Sequence, residues 1–99
     1  MTTNIQFIKI QTSESLREKA MEGVNKLRAR YGWVETVSVS FKEGSGTSDK
    51  EKICKIEINT PTPRLFVSVV DFSFESALKI ALNDIERKLK KRKEILKAK

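Results

Sequence analysis

Residues 54–70 read CKIEINTPTPRLFVSVV, and this stretch contains the pattern that decides the fold. Apolar residues alternate with polar ones from Cys54 to Ile58, which indicates a strand with one buried face and one face in water. The run Thr60–Pro63 follows. Its prolines cannot donate to a strand ladder, so a turn is predicted there. Leu65–Val70 is then predicted as a second, more apolar strand.

Outward from this pair, two more strands are predicted. Val37–Phe41 alternates in the same way as Cys54–Ile58, and the short isoleucine-rich run Asn4–Ile10 has strand composition. The segment Glu43–Lys50 is rich in glycine and serine and is predicted to be a loop. The chain therefore supplies four strands, the last three in direct succession.

Apolar residues at helical spacing predict two helices, Ser13–Tyr31 and Ser73 to about Lys97. Each begins with a serine suited to cap a helix N-terminus, and Gly32 is expected to end the first helix in a left-handed conformation. The residues predicted to face the core are Leu16, Ala20, Val24, Leu27 and Tyr31 in the first helix, and Phe74, Ala77, Leu78, Ala81, Ile85 and Leu89 in the second.

The order β-α-β-β-β-α predicts an α+β fold. We expect a four-stranded sheet, antiparallel or mixed, with the two helices packed on one face because the strands have a single apolar face each. The length predicts a single domain over residues 1–99. Arg92 falls on the apolar stripe of the second helix, so this helix is expected to leave the body of the domain near that residue.

The charge of the chain is concentrated at one end. Residues 87–99 hold eight basic residues and one acidic residue, a net charge of +7 that equals the net charge of the whole chain. A basic end complements the helix dipole, but that effect accounts for only a few lysines. A cluster of this size on a helix predicts contact with a polyanion such as a nucleic acid.

Composition excludes several other classes of function. The chain has no histidine and one cysteine, Cys54, so imidazole catalysis, a thiolate zinc site and an internal disulfide are all excluded. We therefore expect no enzyme activity, no cofactor, no metal and no small-molecule substrate. The absence of a long apolar run or a signal peptide predicts no membrane association and a cytoplasmic, reducing setting, with the free protein a monomer.

The candidate RNA-binding residues lie on both helices. Those of the second helix are Arg87, Lys88, Lys90, Lys91 and Arg92, and those at the end of the first are Lys26, Arg28 and Arg30. Ordinary helix-surface charge also accounts for the set on the first helix. The chain lacks the Gly-Phe strand pattern of single-stranded RNA platforms, which favours contacts to the RNA backbone over base stacking.

Several strings, in order along the chain, resemble the ribosome hibernation-promoting factor and ribosome-associated inhibitor A family. They are Lys26-Leu27 with an aromatic residue soon after, Ile58-Asn59-Thr60-Pro61 before a short turn, FESAL at 74–78 and IERKLKK at 85–91. The resemblance covers nearly the whole chain. It is to a short member, without the C-terminal dimerisation domain of the long members or the acidic tail of the inhibitor-A type.

The resemblance implies the same β-α-β-β-β-α fold. It also implies binding to the small ribosomal subunit and its rRNA, in the channel used by messenger RNA and transfer RNA. Arg87, Lys88, Lys90 and Lys91 are the implied primary contacts, with Lys26, Arg28 and Arg30 secondary. A protein bound there would block translation and hold ribosomes in an inactive, hibernating state.

Two other interpretations fit the residues. A double-stranded RNA-binding module acting outside the ribosome shares the α-β-β-β-α core, although such modules place lysines at the start of the last helix rather than at its end. A basic protein-interaction module would use the same helix to meet an acidic partner.

Overall fold

The computed structural model describes residues 2–44, 51–59 and 64–97. The elements are β1 (Thr2–Phe7), α1 (Glu14–Arg30), β2 (Thr36–Glu43), β3 (Lys52–Asn59), β4 (Leu65–Asp71) and α2 (Phe74–Lys97). The predicted order β-α-β-β-β-α and the α+β class are confirmed. The loop predicted over Glu43–Lys50 begins too early, because Glu43 is paired with Lys52 as the last residue of β2. Residues 45–50 of that loop and the turn predicted at 60–63 lie outside the described residues. Neither described helix is long and apolar enough to cross a membrane.

The sheet is mixed, with the strands in the order β1-β2-β3-β4. β1 runs parallel to β2, with Phe7 opposite Phe41, whereas β2, β3 and β4 form an antiparallel meander. The parallel pair needs a crossover, and α1 provides it. This connection places α1 over the β1 side of the sheet, while α2 returns over β3 and β4 and contacts α1 alongside.

The core lies between the helices and one face of the sheet. Leu27 and Ile85, from the two helices, are almost completely buried, as is Ile56 from the sheet. The other predicted core residues, Leu16, Val24, Leu78 and Leu89, are buried as well. Both predicted helical stripes and the single apolar face of the strands are therefore confirmed.

Local interactions explain where the helices begin. The Leu16 amide donates to the Ser13 hydroxyl over 3.3 Å, and the Ser76 amide donates to the Ser73 hydroxyl over 3.1 Å. Asp71, the last residue of β4, accepts from the Phe72 amide over 2.8 Å and from the Ser76 hydroxyl over 2.5 Å. The strand and the start of α2 are thereby fixed to each other.

Two other predicted boundaries are wrong. β1 ends at Phe7 rather than Ile10, because Lys9 has a φ of 57°, which strand pairing does not accommodate. Gly32 does not have a positive φ. The last residue of α1 is Arg30, and Tyr31 is its C-cap residue, whose amide donates to the Leu27 carbonyl over 2.8 Å.

The other face of the sheet is covered by neither helix. Its side chains are mostly polar on the β1 and β2 side, and Phe66 of β4 is 48% exposed there. We call this surface the open face. It has two polar cross-strand rows, Gln6–Ser40–Lys55–Ser68 and Asn4–Ser38–Glu57–Phe66.

Candidate nucleic-acid interface

The basic residues of α2 are distributed around the helix, and contacts on each side show where they point. Ile85 and Leu89 are fully buried beneath the helix. On one flank Glu86 faces α1, where it binds Arg30. On the opposite flank the Lys88 ammonium donates to the Phe66 carbonyl of β4 over 3.1 Å. The predicted cluster is therefore divided between two sides of one helix.

The helices approach closely at Gly23 of α1. A Cβ atom added there would lie 2.5 Å from Leu82 Cδ1, so a side chain at this position would force the end of the Leu82 side chain to move. Above the contact runs a groove of about 260 Å³. Its floor contains Gly23, Leu27 and Leu82, while Lys26 and Arg30 line it from α1. We call this surface the interhelical groove.

Glu86 is the acidic group that α2 contributes to the interhelical groove, opposite Glu22 of α1. Its Oε2 accepts from Arg30 over 2.7 Å and from the Tyr31 hydroxyl over 3.4 Å. The hydrogen bond and charge of Glu86 raise the pKa of Arg30. Burial raises the pKa of Tyr31, and the nearby Glu86 carboxylate raises it further. Glu86 thus orients the Arg30 guanidinium and keeps both neighbours protonated.

The groove continues past Glu86 towards the exposed end of α2. Arg30 and Tyr31 lie on one side of this extension, and Lys90 and Lys93 on the other. The Lys93 ammonium lies 5.6 Å from the centre of the Tyr31 ring, a cation–π contact. Almost three turns after the buried Ile85, Ile95 is 56% exposed. The body of the domain therefore ends near Lys93, close to the predicted position.

Two of the groove cations have an acidic neighbour on their own helix. Lys26 lies 3.4 Å from Glu22, and Arg87 lies 3.5 Å from Asp84. Such exposed pairs contribute little energy because water and salt screen them. A phosphate group can therefore replace the carboxylate as the partner of either cation at a low cost in free energy.

Arg28 is placed differently from the other candidates on α1. Its guanidinium donates to the Thr3 hydroxyl, to the Thr2 carbonyl and, over 3.0 Å, to the Glu35 carbonyl. Its Nε atom is buried without a hydrogen-bond partner. The side chain joins the end of α1 to β1 and to the residue before β2, on the side of α1 away from the groove.

The structure therefore brings some of the predicted residues together and separates others. Lys26, Arg30 and Lys90 line the interhelical groove, and Arg87 borders it on the outer surface of α2. Lys88 lies on the β4 flank, and helical geometry places Lys91 on the same side. Arg92 is half-buried on the inner face of α2.

Three groove residues were not predicted from the sequence. Lys93 has the signal that would have identified it, because it lies seven residues after Glu86 and therefore on the same flank of α2. Glu86 is an acid within a basic segment, so a search for basic contacts does not identify it. Gly23 is isolated within a helical pattern, which is a sign of close packing.

The described residues offer little to chemistry other than binding. Cys54 is fully buried in the core, and burial raises the pKa of its thiol to about 12. In the described ranges, no group of three or more Cys, Asp or Glu side chains could hold a metal ion. The arrangement is instead a rigid, basic and concave surface.

The fold is similar to that of solved structures whose sequences have diverged. One is a ribosomal subunit interface protein from Coxiella burnetii, with a TM-score of 0.81 and 14% identity over 95% of this chain and 99% of that one. Another is the Protein Y N-terminal domain from Thermus thermophilus, with a TM-score of 0.74 and 17% identity over 89% of this chain and 93% of that one. At these identities the likeness establishes the fold.

Sequence comparison gives a separate result. The family model described as "Sigma 54 modulation protein / S30EA ribosomal protein" matches residues 3–97, nearly the whole chain. The comparison with curated proteins gives no match.

Proposed function

The chain belongs to the Sigma 54 modulation protein / S30EA ribosomal protein family, as the resemblance in its sequence indicated, and from this membership we propose that it binds the small ribosomal subunit. The proposed position is the channel used by messenger RNA and transfer RNA. A protein there blocks translation and stabilises inactive ribosomes. The name of the Coxiella burnetii relative, a ribosomal subunit interface protein, supports this proposal.

The observation that carries the proposal is the interhelical groove. Lys26 and Arg30 from α1 and Lys90 from α2 lie along one concave surface between two helices that share a core. Phosphate groups of folded rRNA follow one another along a backbone, and cations held on a rigid scaffold meet them with little loss of entropy. Recognition of this kind reads backbone shape rather than base sequence.

Glu86 has a specific part in this proposal. It keeps the Arg30 guanidinium directed into the groove in the free protein. A phosphate then competes with the Glu86 carboxylate for the same donor. An RNA that presents a phosphate to Arg30 alone gains little binding free energy, because it only replaces the Glu86 carboxylate. A folded RNA surface that also contacts the other groove cations gains more, so Glu86 favours such a surface.

The remaining candidates take different places in the proposal. Arg87 borders the groove and extends it outward, and Lys88 and Lys91 supply a second basic flank towards β4. Arg28 is already held by three oxygen atoms of the protein, so we assign it to the fold and leave it out of the proposed contact. Arg92, on the inner face of α2, is a secondary contact.

The proposed mechanism is occlusion without a chemical step, so inhibition should be stoichiometric. Sedimentation of the tagged protein in a sucrose gradient tests the first requirement: it should migrate with small subunits or whole ribosomes. In cell-free translation, inhibition should reach completion at about one protein per ribosome, and excess transfer RNA should relieve it. Inhibition far below this ratio would contradict occlusion.

A charge-matched pair of variants tests the site. Lys26→Gln/Lys90→Gln removes two groove cations, whereas Lys9→Gln/Lys79→Gln removes the same charge from positions that do not line the groove. The groove variant should lose ribosome binding and lower the log–log salt slope by about 1.5, from roughly 0.7–0.9 per phosphate contact. Equal losses in both variants would show that only net charge matters, and would overturn the site assignment.

The same experiment distinguishes the other two interpretations. A double-stranded RNA-binding module would bind protein-free duplex RNA as tightly as ribosomes. A protein-interaction module would bind neither duplex RNA nor the RNA of ribosomes. The salt dependence of its binding to a protein partner would not follow the number of groove lysines.

A further inference from the structure

The open face of the sheet carries a set of side chains that the proposed ribosome contact does not use. The first cross-strand row combines the Gln6 amide, the Ser40 and Ser68 hydroxyls and the Lys55 ammonium. The second row ends at Phe66. Amides and hydroxyls both donate and accept hydrogen bonds, as the edges of nucleobases do.

Phe66 is the aromatic side chain of this surface. It is 48% exposed on the edge strand β4, and it lies diagonally across from Lys55, within reach of a long side chain. Gln6, Ser38, Ser40, Lys55 and Phe66 line a shallow depression of about 290 Å³ on the open face. An exposed ring beside a cation in such a depression resembles the stacking platforms of proteins that bind single strands.

Two ammonium groups meet on the same face. Lys55 of β3 lies diagonally across from Lys42 of β2, and the neighbouring Lys42 ammonium lowers the pKa of Lys55. Like charges held together repel each other, and an anion between them would relieve that repulsion. The acid of the same rows, Glu57, is already paired with Arg64 over 2.7 Å.

The depression is connected with the basic flank of α2 around the edge of β4. Phe66, Ser68, Arg87 and Lys88 line a second depression there, with Lys88 bonded to the Phe66 carbonyl. Cations therefore stand on both sides of the exposed ring. A chain of phosphates that passes over the β4 edge, with a base on Phe66, would meet a cation on each side of the ring.

We propose that the open face is a second nucleic-acid-binding surface, which takes single-stranded RNA with one base stacked on Phe66 and with phosphates bound by Lys55 and Lys42 on one side and by Lys88 on the other. The open face points away from the interhelical groove, so both can be occupied at once, and Lys88 at the β4 edge is the one residue that the two proposed contacts share. A protein partner fits less well, because Ser68 separates the exposed apolar side chains Phe66 and Val70 on this face, and lysine, amide and hydroxyl groups occupy the neighbouring positions. The proposal goes beyond ribosome binding and is independent of it.

Binding of a fluorescein-labelled oligouridine to the purified protein, measured by anisotropy, tests this inference. Phe66→Leu keeps the charge and the apolar character but removes the π face, and it should weaken binding roughly 5- to 100-fold, the range known for loss of one base stack. Phe72→Leu is the matched control, because Phe72 is 77% exposed but lines neither depression. It should bind as the wild type does.

The cation contacts have a separate signature. Lys55→Gln should weaken binding and lower the log–log salt slope by about 0.7, the single-strand value for one phosphate. In a Trp33→Phe background, Phe66→Trp should show quenching of its fluorescence on addition of oligouridine. Thermal melts of each variant establish that the fold is retained.

Three results would overturn the proposal: no binding of oligouridine by the wild type, equal binding by Phe66→Leu and the wild type, or complete displacement of oligouridine by duplex RNA of the same length at the same concentration. The last two would place single strands in the basic helical region instead. Ribosome sedimentation of Phe66→Leu should remain as in the wild type, so failure of this inference and failure of the proposed function give different results.

Discussion

Gly23→Ala is a sharp test of how the interhelical groove is built. In an ordinary helix interior, this change should stabilise the protein by about 1 kcal/mol, because alanine is the better helix former. Here the added Cβ would lie 2.5 Å from Leu82 Cδ1 and 3.0 Å from Cδ2. Carbon atoms in good contact stand roughly 3.5–4.0 Å apart, so the Leu82 side chain must retreat by about 1 Å.

The two effects oppose each other. Overpacking of this kind costs about 1–3 kcal/mol, so it cancels or exceeds the gain in helix propensity, and the net result lies between no change and a loss of about 2 kcal/mol. For a domain of this size, 1 kcal/mol shifts the Tm by roughly 4–8 °C. Gly32→Ala is the control, because nothing lies within 4 Å of its added Cβ and its φ is not positive. It should be neutral, or stabilising by up to about 1 kcal/mol.

Urea unfolding followed by circular dichroism gives the free energy of unfolding for each variant. A double-mutant cycle with Leu82→Ala isolates the contact, because Gly23→Ala should cost less once the leucine has been removed. If Gly23→Ala stabilises the wild type by about 1 kcal/mol, and the cycle shows no coupling, the close approach of the helices is refuted.

Three further predictions concern the core and the titratable groups. Ile85→Ala should lower the free energy of unfolding by about 2–5 kcal/mol in the same assay, because the fully buried side chain leaves a cavity; a loss below half a kilocalorie would contradict the packing. Hydrogen bonds from the Ser76 hydroxyl and the Phe72 amide lower the pKa of Asp71 in the folded protein. The ionised carboxylate therefore stabilises the fold fully above its ordinary pKa of 3.8, and this stabilisation is lost as the pH falls through the lower pKa of the folded state. The difference in unfolding free energy between the wild type and Asp71→Asn should therefore shrink on acidification below about pH 4, and a constant difference would exclude this role. Finally, because burial raises the pKa of Cys54 to about 12, iodoacetamide at pH 8 should label it slowly in the folded protein and rapidly in urea, as mass spectrometry can measure.

Much of the fold could be predicted because periodicity reports burial directly. Alternation in Val37–Phe41 and Cys54–Ile58 gave the buried face of the sheet, and the spacing of Leu27 and Ile85 gave the faces of the helices. The end of β1 could not be predicted in this way. Isoleucines continue to Ile10, whereas the positive φ of Lys9 is a backbone property that composition does not report.

The site was predictable in composition but not in arrangement. Charge identified the basic residues, but it could not tell that Arg28 would point to β1 while Arg30, two residues on, would face α2. That division depends on which neighbours each helix flank meets, and the contacts with Thr3 and Glu86 join residues more than twenty positions apart. The contact of Arg30 with Glu86 is the clearest case, since neither residue alone indicates the other.

The position of α2 in the chain has a consequence for biosynthesis. Ile85 and Leu89 complete the core, and the interhelical groove needs α1 and α2 together, although more than forty residues separate them. A nascent chain in which α2 is still inside the exit tunnel therefore has neither a closed core nor a basic groove. Such chains, stalled on ribosomes, should be digested readily by protease. Under the proposed function, the ribosome that synthesises this protein would therefore be safe from it until α2 has left the tunnel.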